Sequence, residues 1–291
     1  MIAIIINPIS GGASGAGRTR AELARAIVER TKVDAVVHVT ERSGHGRELA
    51  ESAVGSGADR VVAWGGDGTI NEIASVLAFR NVPMGIVPAG SGNGLARELA
   101  LPFDSASALG KALGGTPHAI DVGEIEQRLF VNVAGIGLDA YVAARFNDPR
   151  NVRRGPRAYV AMTAAALTSY RPKTYDITTA DGRATKTALL IVLANGTEFG
   201  NRILIARGAR VDDGLLDVVV VEERSRIATL CRVPWLLTRS IHRVPVWSTR
   251  PVTEVRIESD EPMLFHVDGE PVQGGRCVTA RIHPGALQVV A

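Results

Sequence analysis

Residues 61–72 read VVAWGGDGTINE: an apolar run, then two glycines, an aspartate, a third glycine and a threonine. Glycine admits positive φ and lets a ligand approach the backbone with no Cβ in the way. Backbone N–H groups in front of a helix favour an anion such as phosphate. An aspartate in such a loop would repel its ligand unless a cation lay between them, which suggests Mg²⁺, direct or through water. Taken alone, GGDGT serves equally as a tight turn in which Thr69 or Asp67 caps the next helix. Two more glycine-rich stretches share its character, NPISGGASGAG at 7–17 and PAGSGNGLAR at 88–97. Further on, DDGLLDV at 212–218 and HVDGEPV at 266–272 offer carboxylates in turn-like settings. Asp-Gly is a common hairpin dipeptide, so by itself DGE reads as a turn.

The elements around these stretches decide between the readings. IAIII at 2–6, DAVVHVT at 34–40, RVVAW at 60–64 and MGIV at 84–87 are runs rich in branched apolar residues, as expected of strands covered on both faces. Between and after them, TRAELARAIVER, GRELAESAVGSG, INEIASVLA and GLARELA repeat apolar residues at helical spacing. Strand and helix alternate with short connections, which predicts a parallel sheet with helices on its faces. The three glycine-rich stretches then fall on the carboxyl edge of one sheet, where open α/β sheets bind ligands, and Thr40 ends the remaining strand there. That shared placement favours a nucleotide or polyphosphate site over three unrelated turns.

Near residue 116 the texture changes. HAIDVGEI, RLFVNVAG, TYDITT, TKTALLIVLAN, LLDVVVVEE, TEVRIES, MLFHVDG and CVTARIH read as strands separated by turn residues, with one helix around 157–170. The expected architecture is an α/β nucleotide domain over 1–118, completed by 280–291, and an antiparallel β-sandwich over 119–279. The composition supports two folded domains: 291 residues, 46% hydrophobic, with cores of Val, Ile, Leu and Ala because aromatics make up only 4%. A net charge of +3 is too small to argue for nucleic acid. Cys231 and Cys277 lack metal spacing and suit a reducing compartment. No signal-peptide pattern is expected at the amino terminus, and AYVAMTAAALTSY at 158–170 is too short to span a bilayer, so the expectation is a soluble cytoplasmic protein.

The ordered set NPISGG, GGDGTINE, PAGSGN, IDVG at 120–123, DDGLLDV and HVDGEPV resembles the catalytic domain of the diacylglycerol kinase superfamily, which includes bacterial lipid kinases and the sphingosine and ceramide kinases. GGDG also occurs in NAD kinases and phosphofructokinases, whereas the full set with DGLLD and DGEP is specific. The resemblance implies ATP as the phosphate donor, with Mg²⁺. It places Asn7 and Thr40 near the nucleoside, and Gly65, Gly66, Asp67, Gly68, Thr69 and Ser91 on the phosphates, with Asn71, Glu72 and Asn93 completing the nucleotide site. It makes Glu270 the base that takes the proton from a lipid hydroxyl, with Asp268 in reserve and Asp67 as the acidic group at the phosphates. It also implies a structural Mg²⁺ on the backbone oxygens of Arg210 and Leu215 and the Asp213 carboxylate; a plain turn into the next strand is the alternative there.

Two positions depart from the family pattern. Gly12 stands where relatives often carry a basic residue, and Gly94 where many carry aspartate. Losing both together leaves no unpaired charge. It leaves Asp67 and Asp121 as the acidic groups available to a catalytic Mg²⁺.

The expected reaction is transfer of the γ-phosphate of ATP to a hydroxyl of a lipid such as diacylglycerol or a sphingoid base, in a cleft between the domains. An NAD kinase-like phosphotransferase and a catalytically silent lipid- or nucleotide-binding regulator are the rival readings. Residues 224–250 hold six arginines, Trp235 and Trp247 with no acidic residue, and 145–157 hold five arginines against one aspartate. Such segments suit peripheral docking on the anionic inner membrane face. A lipid substrate is therefore the expected partner, nucleic acid is not, and a homodimer is kept as a candidate assembly.

Overall fold

The computed structural model describes residues 1–12, 16–148, 150–151, 156–198, 204–222 and 247–291. These divide into two compact units, Met1–Asp121 with Gly285–Ala291, and Val122–Pro284.

The first unit is a parallel α/β layer. Its elements run β1 (Ile2–Ile6), α1 (Ala16–Thr31), β2 (Ala35–Val39), α2 (His45–Gly55), β3 (Arg60–Gly65), α3 (Asp67–Leu77), β4 (Met84–Pro88), α4 (Gly94–Glu98) and α5 (Ser105–Gly114). The sheet order is β4-β3-β1-β2, with Ile2 opposite Ala35 and Arg60, and Val61 opposite Met84. Ile4, Ile6, Val62, Trp64 and Val87 form one face and pack on Ala21, Ala24 and Ile27 of α1 and Ala108, Leu109 and Ala112 of α5. Successive strand residues point to opposite faces, so Ala3, Ile5, Val61, Ala63 and Ile86 form the other, where α2 and α3 lie. Each such Ile or Val, removed from water, contributes roughly 1.5–3 kcal/mol, which is why unbroken branched runs stay in the sheet.

Two strands carry the chain across the unit boundary, β5 (Pro117–Ile125) and the last strand, β15 (Cys277–Val290). Between them lie β6 (Arg128–Phe130), β7 (Val133–Gly137), α6 (Leu138–Asn147), α7 (Pro156–Ser169), β8 (Lys173–Thr179), β9 (Gly182–Ala194), β10 (Leu216–Glu222), β11 (Trp247–Val252), β12 (Glu254–Glu258), β13 (Leu264–Val267) and β14 (Glu270–Gln273). The second unit is β-rich and antiparallel, with β14-β13-β7-β9-β8-β12-β15 as neighbours and β10 joined to β9 and β11. Its core gathers Phe130, Ile136, Tyr175, Ile191, Leu193, Val218, Ile257 and Phe265.

The structure corrects the element reading in three places. Helix α3 begins at Asp67 rather than at Ile70, so the GGDGT stretch is a strand end and a first helical turn, not a separate turn. Helix α5 is absent from the sequence expectation although its signals are present: Ala108, Leu109, Ala112 and Leu113 recur at helical spacing, and Asp104 caps it by accepting from Ser107 N–H at 2.9 Å. Helix α6 is absent as well. Leu138, Asp139, Ala140, Val142 and Ala143 are all buried, which wraps most of its circumference and leaves no apolar stripe to detect. Among the described residues no helix is long and apolar enough to cross a membrane. Residues 152–155 and 223–246, which include Arg153 and Arg154 of the first arginine-rich segment and most of the second, lie outside the described residues.

Candidate active site

Asp67, Thr69 and Glu72 of GGDGTINE each tie α3 to a neighbouring loop. Asn7 Nδ2 donates to Thr69 Oγ1 at 2.9 Å, and Gly66 N–H donates to Ser10 Oγ at 3.2 Å, joining the first glycine-rich loop to the third strand's end. Gly44 N–H donates to Glu72 Oε1 at 3.0 Å, which holds the start of α2. Asp67 accepts from Asn93 N–H at 2.9 Å and Gly94 N–H at 2.7 Å, so its carboxylate spans the amino end of α4. The sequence reading had Thr69 or Asp67 cap its own helix; neither does. The N-cap of α3 is Gly66, with no side-chain cap, because the two side chains are drawn to β1's loop and to α4.

The glycines make this convergence sterically feasible. A Cβ on Gly90 would lie 2.6 Å from Gly66 Cα, and one on Gly11, at φ 78°, would lie 2.6 Å from Ala89 O. Gly68 differs: it is exposed, and a Cβ there would meet nothing within 4 Å. Neither the packing nor a positive φ of this chain calls for glycine at 68, and the open space lies over the first turn of α3. The helical ladder starts with Ile70 N–H to Gly66 O, so the preceding N–H groups form the positive end of the helix dipole.

Asp67 is half-buried. Burial pushes its carboxyl up from the usual aspartate value, and the N–H groups of Gly94 and Asn93, its own N–H and then the Arg97 charge offset part of that rise. Asn93 is buried in the left-handed conformation, and its amide closes on Gly90 through both N–H and C=O at 2.8 Å. Ser91 is exposed beside it, while Thr40 and Asn71 are buried. Arg20, which sequence reasoning missed, donates from α1 to Asn7 O at 3.0 Å and Ser10 O at 2.9 Å. The Asn7 carbonyl precedes Pro8, which has no N–H, but drawing the Ser10 carbonyl toward α1 turns the Gly11 N–H of the same peptide the opposite way, the orientation an anion needs. A lone arginine at helical spacing carries no sequence signal for this role.

In the second unit, the HVDGE segment is a turn between β13 and β14 fixed at several points. Asp268 Oδ2 accepts from Val131 N–H at 2.9 Å, and Oδ1 accepts from Asn132 and Val133 N–H at 3.0 Å. Gly269 N–H donates to His266 Nδ1 at 3.2 Å, and Asn147 Nδ2 donates to Gly269 O at 2.8 Å. Asp268 and Gly269 take φ of 46° and 89°, a conformation that these bonds hold in place. Glu270 follows directly, exposed; its backbone pairs with Val267, and its carboxylate forms no hydrogen bond or ion pair with a described residue.

Two family models cover the chain: the diacylglycerol kinase catalytic domain matches residues 1–125, and the YegS C-terminal NAD kinase beta sandwich-like domain matches residues 132–291. The chain belongs to the diacylglycerol kinase catalytic-domain family. A "Probable lipid kinase YegS-like" of Chromohalobacter salexigens is 32% identical over 259 residues, 88% of this chain and 83% of that protein. A "Diacylglycerol kinase" of Mycobacterium tuberculosis is 32% identical over 265 residues, covering 88% and 84% respectively. Among solved structures, a diacylglycerol kinase from Bacillus anthracis superposes with a TM-score of 0.73 at 18% identity over 99% of this chain and 96% of that one. An NAD kinase from Archaeoglobus fulgidus in complex with ATP gives 0.54 at 12% identity, covering 100% of this chain and 94% of that one, a likeness of fold alone.

The remaining acidic residues of this family member bear on metal binding. Among the described residues no group of three or more His, Cys, Asp or Glu side chains could cage an ion. Asp121 is buried, and its Oδ1 accepts from Gly285 N–H at 2.7 Å, which secures the returning end of β15. Magnesium is commonly held by one or two carboxylates together with substrate phosphates, and Asp67 at the loop edge suits that mode. In the DDGLLDV turn, Asp213 Oδ1 accepts from Leu215 N–H at 3.0 Å, and Arg210 pairs with Asp212 at 3.1 Å. Asp217, buried nearby, has its carboxyl pushed up by burial and then by the Asp213 charge, a concentration of negative charge that a cation would relieve.

Proposed function

We propose that this chain transfers the γ-phosphate of ATP to the hydroxyl of a lipid such as diacylglycerol or a sphingoid base. The observation that carries the reading is the convergence of the βα loops after β1, β2 and β4 on the GGDGTINE residues, with Gly68 uncovered among them. In this reading Gly65, Gly66, Gly68, Thr69 and Ser91 receive the phosphates, Asn7 and Thr40 border the nucleoside, Asn71 completes the nucleotide site, and Glu72 and Asn93 keep the loops in register. Asp67 would hold Mg²⁺ beside the phosphates. The ion would supply neutralisation of charge on the transferring group.

The second unit supplies the proton acceptor. Glu270 takes the proton from the lipid hydroxyl as its oxygen bonds to the γ-phosphorus; the bond to the β–γ bridging oxygen breaks and ADP leaves. Asp268 is the weaker candidate for this role because its two oxygens already accept from backbone N–H groups, whereas the Glu270 carboxylate accepts from no described residue. A structural Mg²⁺ at Asp213 and the Arg210 and Leu215 carbonyls, and electrostatic docking of the arginine-rich segments on an anionic bilayer, belong to the same reading. In 145–157, Arg150 pairs with Asp148 at 2.8 Å, while Arg145 lies over the Tyr141 ring at 4.8 Å and keeps its charge.

The test is transfer of labelled γ-phosphate from ATP with Mg²⁺ into a panel of micellar lipids, with NAD as a separate acceptor and Asp67→Ala beside the wild type. Lipid labelling that disappears in the variant supports the reading. Labelling of NAD alone would replace it with an NAD kinase, and ATP binding without any transfer would favour a silent regulator.

A further inference from the structure

The second unit buries a histidine and an aspartate for which the reaction so far has no use. His266 is 1% exposed and Asp139 is 6% exposed. They come from elements 127 residues apart in sequence, brought together because β13 pairs with β7 and places His266 directly opposite Gly135. A side chain on Gly135 would collide with both the Asp139 carboxylate and the His266 ring, so the glycine makes the room that the pair occupies. His266 Nε2 lies 3.4 Å from Asp139 Oδ2. On the other side of the ring, Nδ1 accepts the Gly269 N–H at 3.2 Å.

These contacts define a tautomer. An Nδ1 that accepts from an amide carries no proton, so the ring proton sits on Nε2 and faces the carboxylate. The Asp139 carboxylate at 3.4 Å acts on the ring through its charge rather than through a hydrogen bond, and that charge favours the form that can accept from Gly269, one residue before the exposed Glu270. Asp139 Oδ1 is itself fixed by Ala140 N–H at 2.8 Å at the start of α6, and the far end of α6 supplies Asn147 to Gly269 O. Both polar groups of the Gly269 peptide neighbourhood are thus addressed from within the unit, at a residue whose φ of 89° would otherwise leave the turn many alternatives.

We propose that His266, oriented by Asp139, is a positioning residue that sets the direction of Glu270 through the Gly269 amide. The proposal rests on Glu270 being the base, and its test separates the two ideas. His266→Phe keeps the ring volume and removes the acceptor; His266→Asn offers a carbonyl oxygen close to the Nδ1 position. With the lipid that the wild type labels, His266→Phe should lower kcat by about 30- to 100-fold, the range expected for a misplaced catalytic group, and leave KM for ATP within about threefold. His266→Asn should recover to within about fivefold of the wild type, a rescue that loss of packing alone would not show.

In a Glu270→Gln background, His266→Phe should cost nothing further, because the two residues act as one unit. Amide hydrogen exchange supplies a readout independent of turnover: Gly269 should exchange faster in His266→Phe and stay protected in His266→Asn. Full additivity of the two substitutions, or unchanged protection of Gly269 in His266→Phe, would overturn the proposal. Wild-type turnover in Glu270→Gln would overturn the step through Glu270, and Gly269 exchange would then report the histidine's hold on the turn by itself.

Discussion

Asp268→Asn offers the sharpest division between a residue that holds the turn and one that reacts. The Asp268 carboxylate accepts from Val131, Asn132 and Val133 N–H at 2.9–3.0 Å, and those three residues are themselves buried. Hydrogen bonds to a charged acceptor contribute about 1.5–3 kcal/mol each, against about 1 for neutral ones. Asparagine can keep its carbonyl oxygen where Oδ1 was, so the bonds from Asn132 and Val133 survive in neutral form at a loss of about 1 kcal/mol each. Its amide then faces the Val131 N–H, donor against donor, and leaves a buried N–H unsatisfied at about 1–3 kcal/mol.

The sum is about 3–5 kcal/mol, which in a unit of this size lowers Tm by about 6–20 °C at 2–4 °C per kcal/mol. Calorimetry on the full chain should show that fall for Asp268→Asn, and a Tm within about 1 °C of wild type for Glu270→Gln, whose carboxylate bonds to no described residue. Turnover measured well below both transitions should fall by about 100-fold or more in Glu270→Gln, in the range for loss of a general base. Asp268→Asn with wild-type Tm and the deeper loss of kcat would refute the reasoning and transfer the base role to Asp268.

Other substitutions probe the loop set. Gly68→Ala should leave Tm unchanged, since nothing lies within 4 Å of the new Cβ, yet weaken ATP by about tenfold or more by titration calorimetry; wild-type affinity would remove the phosphates from above α3. Gly90→Ala should lower both Tm and ATP affinity, because its Cβ would lie 2.6 Å from Gly66 Cα and neither backbone can yield alone. Arg20→Ala releases the Asn7 and Ser10 carbonyls and should weaken ATP by about tenfold while sparing adenosine; equal loss for both ligands would tell against a phosphate-facing loop. Arg97→Gln removes a charge that holds the Asp67 carboxyl down, so the acid limb of kcat/KM for ATP should move to higher pH, and an unmoved limb would detach that limb from Asp67. The sign follows from burial. A carboxyl raised in the folded state favours the native form below its ordinary 3.8, and this contribution is lost as pH rises through the folded value. The anion kept at neutral pH therefore depends on its N–H donors and on Arg97.

Much of the fold was legible in local pattern. Branched apolar runs marked β1 to β4 because both faces of that sheet are covered, and the change to strand-like segments separated by turn residues marked the antiparallel unit. Helices with a clear stripe were read, α5 apart, while α6, buried around most of its surface, was not. For the site, the sequence could place glycine-rich loops on one sheet edge, but not the partners of their side chains. Asp67 reaches Asn93 and Gly94, 26 and 27 positions away, across a parallel sheet whose order local pattern does not encode. The Asp139–His266 pair depends on the β7–β13 register. Its one trace in the sequence is Gly135 inside a strand, a residue type that marks close approach of another group.

The two units solve the same problem in the same way. Asp67-Gly68 and Asp268-Gly269 are both Asp-Gly steps, and in each the aspartate accepts backbone N–H groups from a distant segment while the residue beside it stays open. An aspartate fixed by two or three amides cannot swing, so it orients the following glycine more firmly than a capping serine would. Phosphoryl transfer asks the protein for placement and charge stabilisation rather than covalent chemistry. Glycine rather than a basic residue at position 12 fits the same logic. Arg20 engages the carbonyls of that loop from behind, so the loop can meet an anion with N–H groups rather than with a side-chain charge.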